Sequence, residues 1–256
     1  MQTAYYFIFC KDELLLTANQ QVPCSTEPPV HLEPWQTLHH LPSLEGHACY
    51  TARIDSPVVA PKWQMCGLRS SFDILPLAHY NMAGKAHEIL YWDQNTRFCG
   101  MCGAPMKLHT DISKRCTNCG KEVWPALATA IIVAITRNNG HEILLVQSKS
   151  FKKNYLGLVA GFVETGETLE ECVRREVMEE TQLSIKNLHY FASQPWPYPC
   201  GLMVGFTAEY AGGSLKIQTS ELNKGGWYTR DNLPAIPGKV SLARQLIDHW
   251  LEQMTE

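Results

Sequence analysis

The chain has 256 residues, 45% of them hydrophobic and 18% charged, with a formal net charge of −3. That length holds one large domain or two ordinary ones, and the low charged fraction beside 10% aromatic residues excludes a disordered chain. The near balance of charge gives no global reason to bind nucleic acid, so an RNA partner has to be held locally.

Taken in chain order, apolar Ala4 to Cys10 and Leu14 to Thr17 flank Lys11-Asp12-Glu13, the pattern of a hairpin. No basic stretch precedes the first arm and no small-residue cleavage site follows it, so a signal peptide is not expected. A Pro-rich loop (Pro23, Pro28, Pro29, Pro34) leads to a strand-like segment from His47 to Ile54. Helical patterns are expected after Trp63 and from Leu77 to Trp92. The longest apolar candidate, Ala126 to Ile135, contains Thr129 and is far shorter than the roughly 18 residues that span a bilayer, so it reads as a buried strand. Beyond it the pattern is strands, one amphipathic helix, more strands and a closing helix near Val240 to Met254. There is no repeat at solenoid period.

Four of the ten cysteines form two Cys-x-x-Cys knuckles, Cys99/Cys102 and Cys116/Cys119, with thirteen residues between them. Four thiolates at this spacing converge on Zn²⁺, and a set without a vacancy is structural. A redox dithiol is the alternative and leaves one knuckle redundant. The other six (Cys10, Cys24, Cys49, Cys66, Cys172, Cys200) read as small buried hydrophobes in a reducing compartment, so a cytoplasmic location is expected. The domains expected are 1–95, an N-terminal α/β domain; 96–124, a four-Cys zinc ribbon that staples two domains; and 125–256.

The chemistry lies in Gly161 to Leu183. Thr165 or Thr168 caps the helix, and Leu169, Cys172, Val173 and Val177 share one face. Glu176, Glu179 and Glu180 continue that apolar face. A carboxylate-rich helix in general is a solvated one; here the carboxylates point at the core, where unpaired charge is costly. They become tolerable by holding hard cations such as Mg²⁺ or Mn²⁺. Arg175 is placed to pair with Glu167.

This segment resembles a Nudix box: Gly161, five residues, Glu167, seven residues, then Arg175-Glu176-Val177-Met178-Glu179-Glu180 and Leu183, with Gln182 where the family has Gly. The resemblance implies an α+β chain whose C-terminal Nudix fold is a mixed β-sheet sandwiched by helices. It implies hydrolysis of a nucleoside-linked diphosphate, with Glu176, Glu179, Glu180 and the Ala160 carbonyl ligating Mg²⁺ or Mn²⁺ and Glu221 also reaching the metals. The base is an unligated carboxylate, Glu179 or Glu180 by preference, or a metal-bound hydroxide.

Downstream, Ser193-Gln194-Pro195-Trp196-Pro197-Tyr198-Pro199-Cys200-Gly201 has three alternating prolines, which hold an extended backbone presenting Trp196 and Tyr198 as flat faces for a planar base. A packed Pro-rich edge strand is the other reading. The segment resembles the S-Q-P-W-P-F-P-x-S signature of NADH pyrophosphatases, also described as NAD-capped RNA hydrolases, with Tyr198 for Phe and Gly201 for Ser. The likeness implies a homodimer with sites built from both subunits and a substrate of NAD(H) or NAD-capped RNA. Gln194 through Gly201 would bind it, Trp124 and Phe162 would stack the nicotinamide, Ala243 would line the pocket, and Arg69 and Asp111 would touch substrate. Lys149, Lys152 and Lys153 would track an RNA backbone or form a solvated loop. Two other readings stay open: a Nudix pyrophosphatase for ADP-ribose or other dinucleoside diphosphates, and a zinc-ribbon nucleic-acid-binding protein with a silent Nudix domain.

Overall fold

The computed structural model describes residues 2–150 and 154–253, so Lys152, Lys153 and Met254 lie outside the described residues. The chain divides into two compact units, Met1–Ala126 with Pro197–Cys200, and Leu127–Trp196 with Gly201–Glu256.

In the first unit, β1 (Ala4–Cys10) and β2 (Glu13–Thr17) form the expected hairpin, followed by β3 (Cys24–Ser25), β4 (His39–Leu44), β5 (His47–Arg53) and β6 (Trp63–Gly67). Among the described residues the sheet order is β4-β5-β1-β2-β6, with β3 paired to β1. The pair β1–β5 is parallel, and the near-continuous burial of β1 suits a strand covered on both faces. The helix expected after Trp63 is instead β6, because Trp63 to Gly67 pairs residue for residue with Thr17 to Glu13. A short apolar run does not distinguish helix from strand, and the open edge of β2 decides. Helix α1 (Leu77–Asn95) matches its pattern and runs slightly longer.

The ribbon strands β7 (Met106–Thr110), β8 (Ser113–Cys116) and β9 (Glu122–Val123) form a small antiparallel sheet. Lys114 of β8 is buried and fastens this sheet to the end of α1. Its Nζ lies 2.7 Å from Asp93 Oδ1 and donates to the Asp93 and Thr96 carbonyls. Burial opposes ionisation of Asp93, yet His39 and Lys114 hold its pKa down at about 2.

The second unit contains β10 (Ala128–Arg137), β11 (Glu142–Ser148), β12 (Val159–Phe162), α2 (Leu169–Thr181), β13 (Leu183–Trp196), β14 (Gly201–Gly213), β15 (Leu222–Tyr228) and α3 (Leu242–Gln253). The order is β13-β14-β10-β11-β15, with β12 on β10 and β10–β14 parallel. Strand for strand this is the plan of the first sheet. Alternation along β10 divides the core: Ile131, Val133 and Ile135 pack with Cys172, Val173 and Val177 of α2, while Ile132 and Ala134 pack with Leu242, Leu246, Ile247 and Trp250 of α3. The mixed sheet is sandwiched by helices, as expected.

Two local features fix α2. Thr168, not Thr165, is the N-cap: its Oγ1 accepts from Glu171 N at 3.2 Å, and Glu171 Oε2 accepts from Thr168 N at 2.8 Å, a capping box. At the other end Gln182 takes the left-handed conformation, φ 58°, where glycine costs less. Its side chain compensates in part by donating to the Met178 carbonyl at 3.1 Å. Of the scattered cysteines, Cys10, Cys49, Cys66 and Cys172 are buried, but Cys24 is exposed and Cys200 half-buried, both lying at the ends of short connections. No helix among the described residues is long and apolar enough to cross a membrane.

Relieving the left-handed residue is the direct check on the helix end. Gln182→Gly is expected to raise unfolding free energy by about 0.5–1 kcal/mol in urea denaturation.

Candidate active site

The four ribbon sulfurs lie within 4.8 Å of one another, with Cys99 Sγ 3.6 Å from Cys119 Sγ and Cys102 Sγ 3.4 Å from Cys116 Sγ. These are far too long for disulfides and close to the edge of roughly 3.8 Å expected for a tetrahedron with Zn–S bonds of about 2.3 Å. The amides of Cys119 and Asn118 donate to Cys116 Sγ and lower that thiol to about 6. Against a lowering bond from the Lys121 backbone, bonds with the neighbouring thiols of Cys116 and Cys102 push Cys119 up to about 11. Four sulfurs crowded in this shape fit structural zinc.

The second centre is built where β12 meets α2. Glu176 and Glu180 lie one turn apart on the apolar stripe and are 9% and 5% exposed. Glu179 falls at the edge of the stripe and faces solvent with its side chain 53% exposed, which corrects the expectation that all three point inward. The Glu176 carboxylate sits directly on Gly161, where any Cβ would overlap it, so the first glycine of the motif is required by close approach.

Arg175 gathers the anions. Its Nε and NH2 donate to the two Glu167 oxygens at 2.8 and 3.0 Å, and NH1 donates to Glu176 Oε1 at 2.9 Å and Glu179 Oε2 at 3.1 Å. NH2 also donates to the Phe162 carbonyl, tying α2 to β12. This arginine, with the Glu164 amide, holds Glu167 down at about 2. Glu180 is outside Arg175's reach among these contacts. Its Oε2 is buried with no hydrogen-bond partner among the described residues. Burial first, then the charges of Glu176, Glu221 and Glu179, push Glu180 up to about 8. Glu176 is raised as well, mainly by burial. Glu221, at the start of β15, is exposed yet close enough to act on both. An orphaned buried oxygen, beside carboxylates of which Glu176 and Glu179 share Arg175 while Glu180 and Glu221 have no cationic partner among the described residues, suits a divalent cation.

The remaining candidates fall in two places. In the second unit, Phe162 is 67% exposed on β12, next to Ala160 and Gly161. Gln194 is engaged at the start of α3: its Oε1 accepts from Leu242 N and its Nε2 donates to the Val240 carbonyl, both at 2.7 Å. That brings it to Ala243, which is half-buried in the α3 core. Pro195 is exposed and Trp196 half-buried at the end of β13. Gly201 pairs with both Trp196 and Ala128, and a Cβ there would meet their carbonyls at 3.1 and 3.3 Å. A side chain at 201 would therefore crowd the strand backbone.

In the first unit are Arg69, Asp111, Trp124 and the loop Pro197–Cys200. The extended backbone expected across all three prolines ends at Trp196, and residues 197–200 turn instead, since proline cannot donate to the ladder. Tyr198 is half-buried, its hydroxyl 2.7 Å from that of Tyr80 and its ring 5.6 Å from the Arg69 guanidinium. Trp124 is 57% exposed after β9. Asp111 lies in the β7–β8 turn with its carboxylate 3.6 Å from His40 Nδ1. Lys149 is exposed. Sequence reasoning had no means to find Tyr80: its only sign was the additional hydroxyl at 198.

Three family models match in chain order: an NADH pyrophosphatase-like rudimentary NUDIX domain over residues 3–92, an NADH pyrophosphatase zinc ribbon domain over 94–123, and a NUDIX domain over 126–250. The NAD-capped RNA hydrolase NudC of Chromobacterium violaceum is 38% identical over 83% of this chain and 80% of its own. That of Pectobacterium carotovorum is 46% identical over 66% of this chain and 65% of its own. Among solved structures, a NUDIX hydrolase from Nitrosomonas europaea shares the fold with a TM-score of 0.53, at 19% identity over 61% of this chain and 91% of that one.

The raised Glu180 has a definite sign. Its folded-state pKa near 8 exceeds the unfolded value, so the protonated form is favoured by folding and stability falls as pH rises toward 8. With zinc retained and no other divalent cation, Glu180→Gln is expected to be more stable than wild type by a margin that grows between about pH 5 and pH 8 and levels off above. Urea denaturation across that window reads it; a margin independent of pH would contradict the assignment.

Proposed function

Because the chain belongs to the Nudix family of NAD-capped RNA hydrolases with an NADH pyrophosphatase-like N-terminal domain and a zinc ribbon, we propose that it hydrolyses the diphosphate of NAD(H) and of NAD-capped RNA 5′ ends. The products are nicotinamide mononucleotide with AMP or with 5′-monophosphate RNA. The observation that carries the chemistry is the buried pair Glu176 and Glu180, with one oxygen lacking any donor among the described residues.

In this reading Glu176, Glu179, Glu180, Glu221 and the Ala160 carbonyl would hold Mg²⁺ or Mn²⁺, which would supply positive charge for the diphosphate oxygens and a more acidic water. Arg175 orients Glu176 and Glu179 while Glu167 holds Arg175 in place. Whichever of Glu179 and Glu180 is left unligated would accept the proton of the attacking water. Substrate contacts are assigned to Phe162, Gln194, Pro195, Trp196, Gly201 and Ala243 in the second unit and, separately, to Arg69, Asp111, Trp124 and Pro197 to Cys200 in the first. The faces of Phe162 and of Trp124 are each exposed, as a residue that stacks on a planar base must be. A homodimer is supported by the ribbon's exposed Phe98, Met101, Leu108, Ile112 and Trp124, which a second copy would cover. Ten cysteines without a disulfide support a reducing, cytoplasmic compartment.

A competition decides the substrate. Equal concentrations of NADH, ADP-ribose and a short NAD-capped RNA are incubated with the protein and Mg²⁺ or Mn²⁺, and products are followed by mass spectrometry. Nicotinamide mononucleotide and 5′-monophosphate RNA are expected to appear ahead of ADP-ribose cleavage; consumption of ADP-ribose alone would overturn the substrate assignment. Glu180→Gln is expected to lower kcat by roughly two orders of magnitude, since several kcal/mol of barrier reduction goes with the cation site.

A further inference from the structure

Tyr198 carries a hydroxyl where the loop signature has phenylalanine, and that hydroxyl is 2.7 Å from Tyr80 OH on α1. Tyr80 is 6% exposed and is fixed edge-on against Phe72, ring centroids 5.2 Å apart. One turn further along α1, Gly84 faces Pro197, which is buried; a Cβ on Gly84 would stand 3.0 Å from Pro197 Cγ. Positions i and i+4 share a helix face, so one face of α1 grips two consecutive residues of the loop. The Arg69 guanidinium covers the Tyr198 ring from another element, before the 3₁₀ turn Ser70–Asp73. Burial, more than any other cause, holds both phenols above their ordinary range, so the bond joins two neutral hydroxyls at physiological pH.

We propose that Tyr80 is a positioning residue for the substrate loop: its bond to Tyr198 fixes Pro197–Cys200 in the conformation that binds the dinucleotide, with Gly84 as the seat for Pro197. The inference rests on the substrate role proposed above for that loop. Tyr80 acts through Tyr198 and not on the scissile diphosphate, so it governs substrate affinity and leaves bond cleavage alone. The tyrosine at 198 is then one half of a clasp, and the base-stacking face of this segment belongs to Trp196.

A double-mutant cycle tests it with Tyr80→Phe, Tyr198→Phe and both together, assayed with NADH and Mn²⁺. Tyr80→Phe is expected to raise KM roughly fivefold at unchanged kcat, because the bond that holds the loop to α1 is lost. Tyr198→Phe is expected to raise KM in the same direction. The double variant, which keeps both rings, is expected to raise KM no further than either single variant, because each single already removes the one bond. Increments that add in the double variant, a KM unmoved by Tyr80→Phe, or a fall in kcat would overturn the positioning role. The same cycle read on urea unfolding reports the clasp without reference to substrate: coupling there is expected, and its absence overturns the clasp itself. Failure of the wild type to cleave NADH strikes the proposed function, while the unfolding cycle still decides the clasp.

Discussion

Two glutamates one turn apart on the buried side of a helix repel each other and resist ionisation, and the second unit is arranged around that conflict. Gly161 clears the volume that Glu176 occupies. Arg175 neutralises what it can reach and ties α2 to β12 through the Phe162 carbonyl. Glu180 is left with the protonated form favoured in the absence of a cation. A folded protein keeps such a group where something else can supply the missing charge, and hard oxygen donors suit a divalent metal ion. The two ends of α2 are secured by other means, a capping box and a left-handed glutamine, so the carboxylates are not needed to hold the helix.

The two sheets share one strand plan, with β1 to β6 corresponding in order to β10 to β15, yet only the second carries a carboxylate helix among the described residues. Between β12 and β13 lies α2 with its carboxylates; between β3 and β4 the described chain forms no helix and the sequence has no comparable glutamate cluster. The first unit instead contributes the zinc ribbon, fastened to α1 through Lys114 and Asp93, and a grip on the loop that leaves β13. Among the described residues the strand plan occurs twice and the carboxylate helix once.

Much of this was legible before any coordinates. The carboxylate helix could be read because its motif is local: periodicity, capping and charge spacing all act within Gly161 to Leu183. The zinc knuckles were legible for the same reason. What escaped was set at long range. The strand at Trp63 follows from the open edge of β2, the repeated sheet plan has no repeated sequence to announce it, and the partner of Tyr198 lies 118 residues away. Glu179 shows a finer limit: spacing put it near the stripe, but its position at the edge turned it to solvent. The crowding of Gly201 between two strand carbonyls was likewise set in part by a residue far off in sequence, Ala128.

The central claim is that Glu176 and Glu180 are held for a divalent cation. The most direct measurement is the change in unfolding free energy on titrating Mn²⁺ into zinc-loaded protein, for wild type, Glu176→Gln and Glu180→Gln, with zinc content followed in parallel. Mass action predicts a wild-type stabilisation that grows with the logarithm of Mn²⁺ above its dissociation constant, and that gain is expected to vanish in both variants while zinc content stays the same. An equal gain in wild type and variants, or none in wild type, would contradict the account.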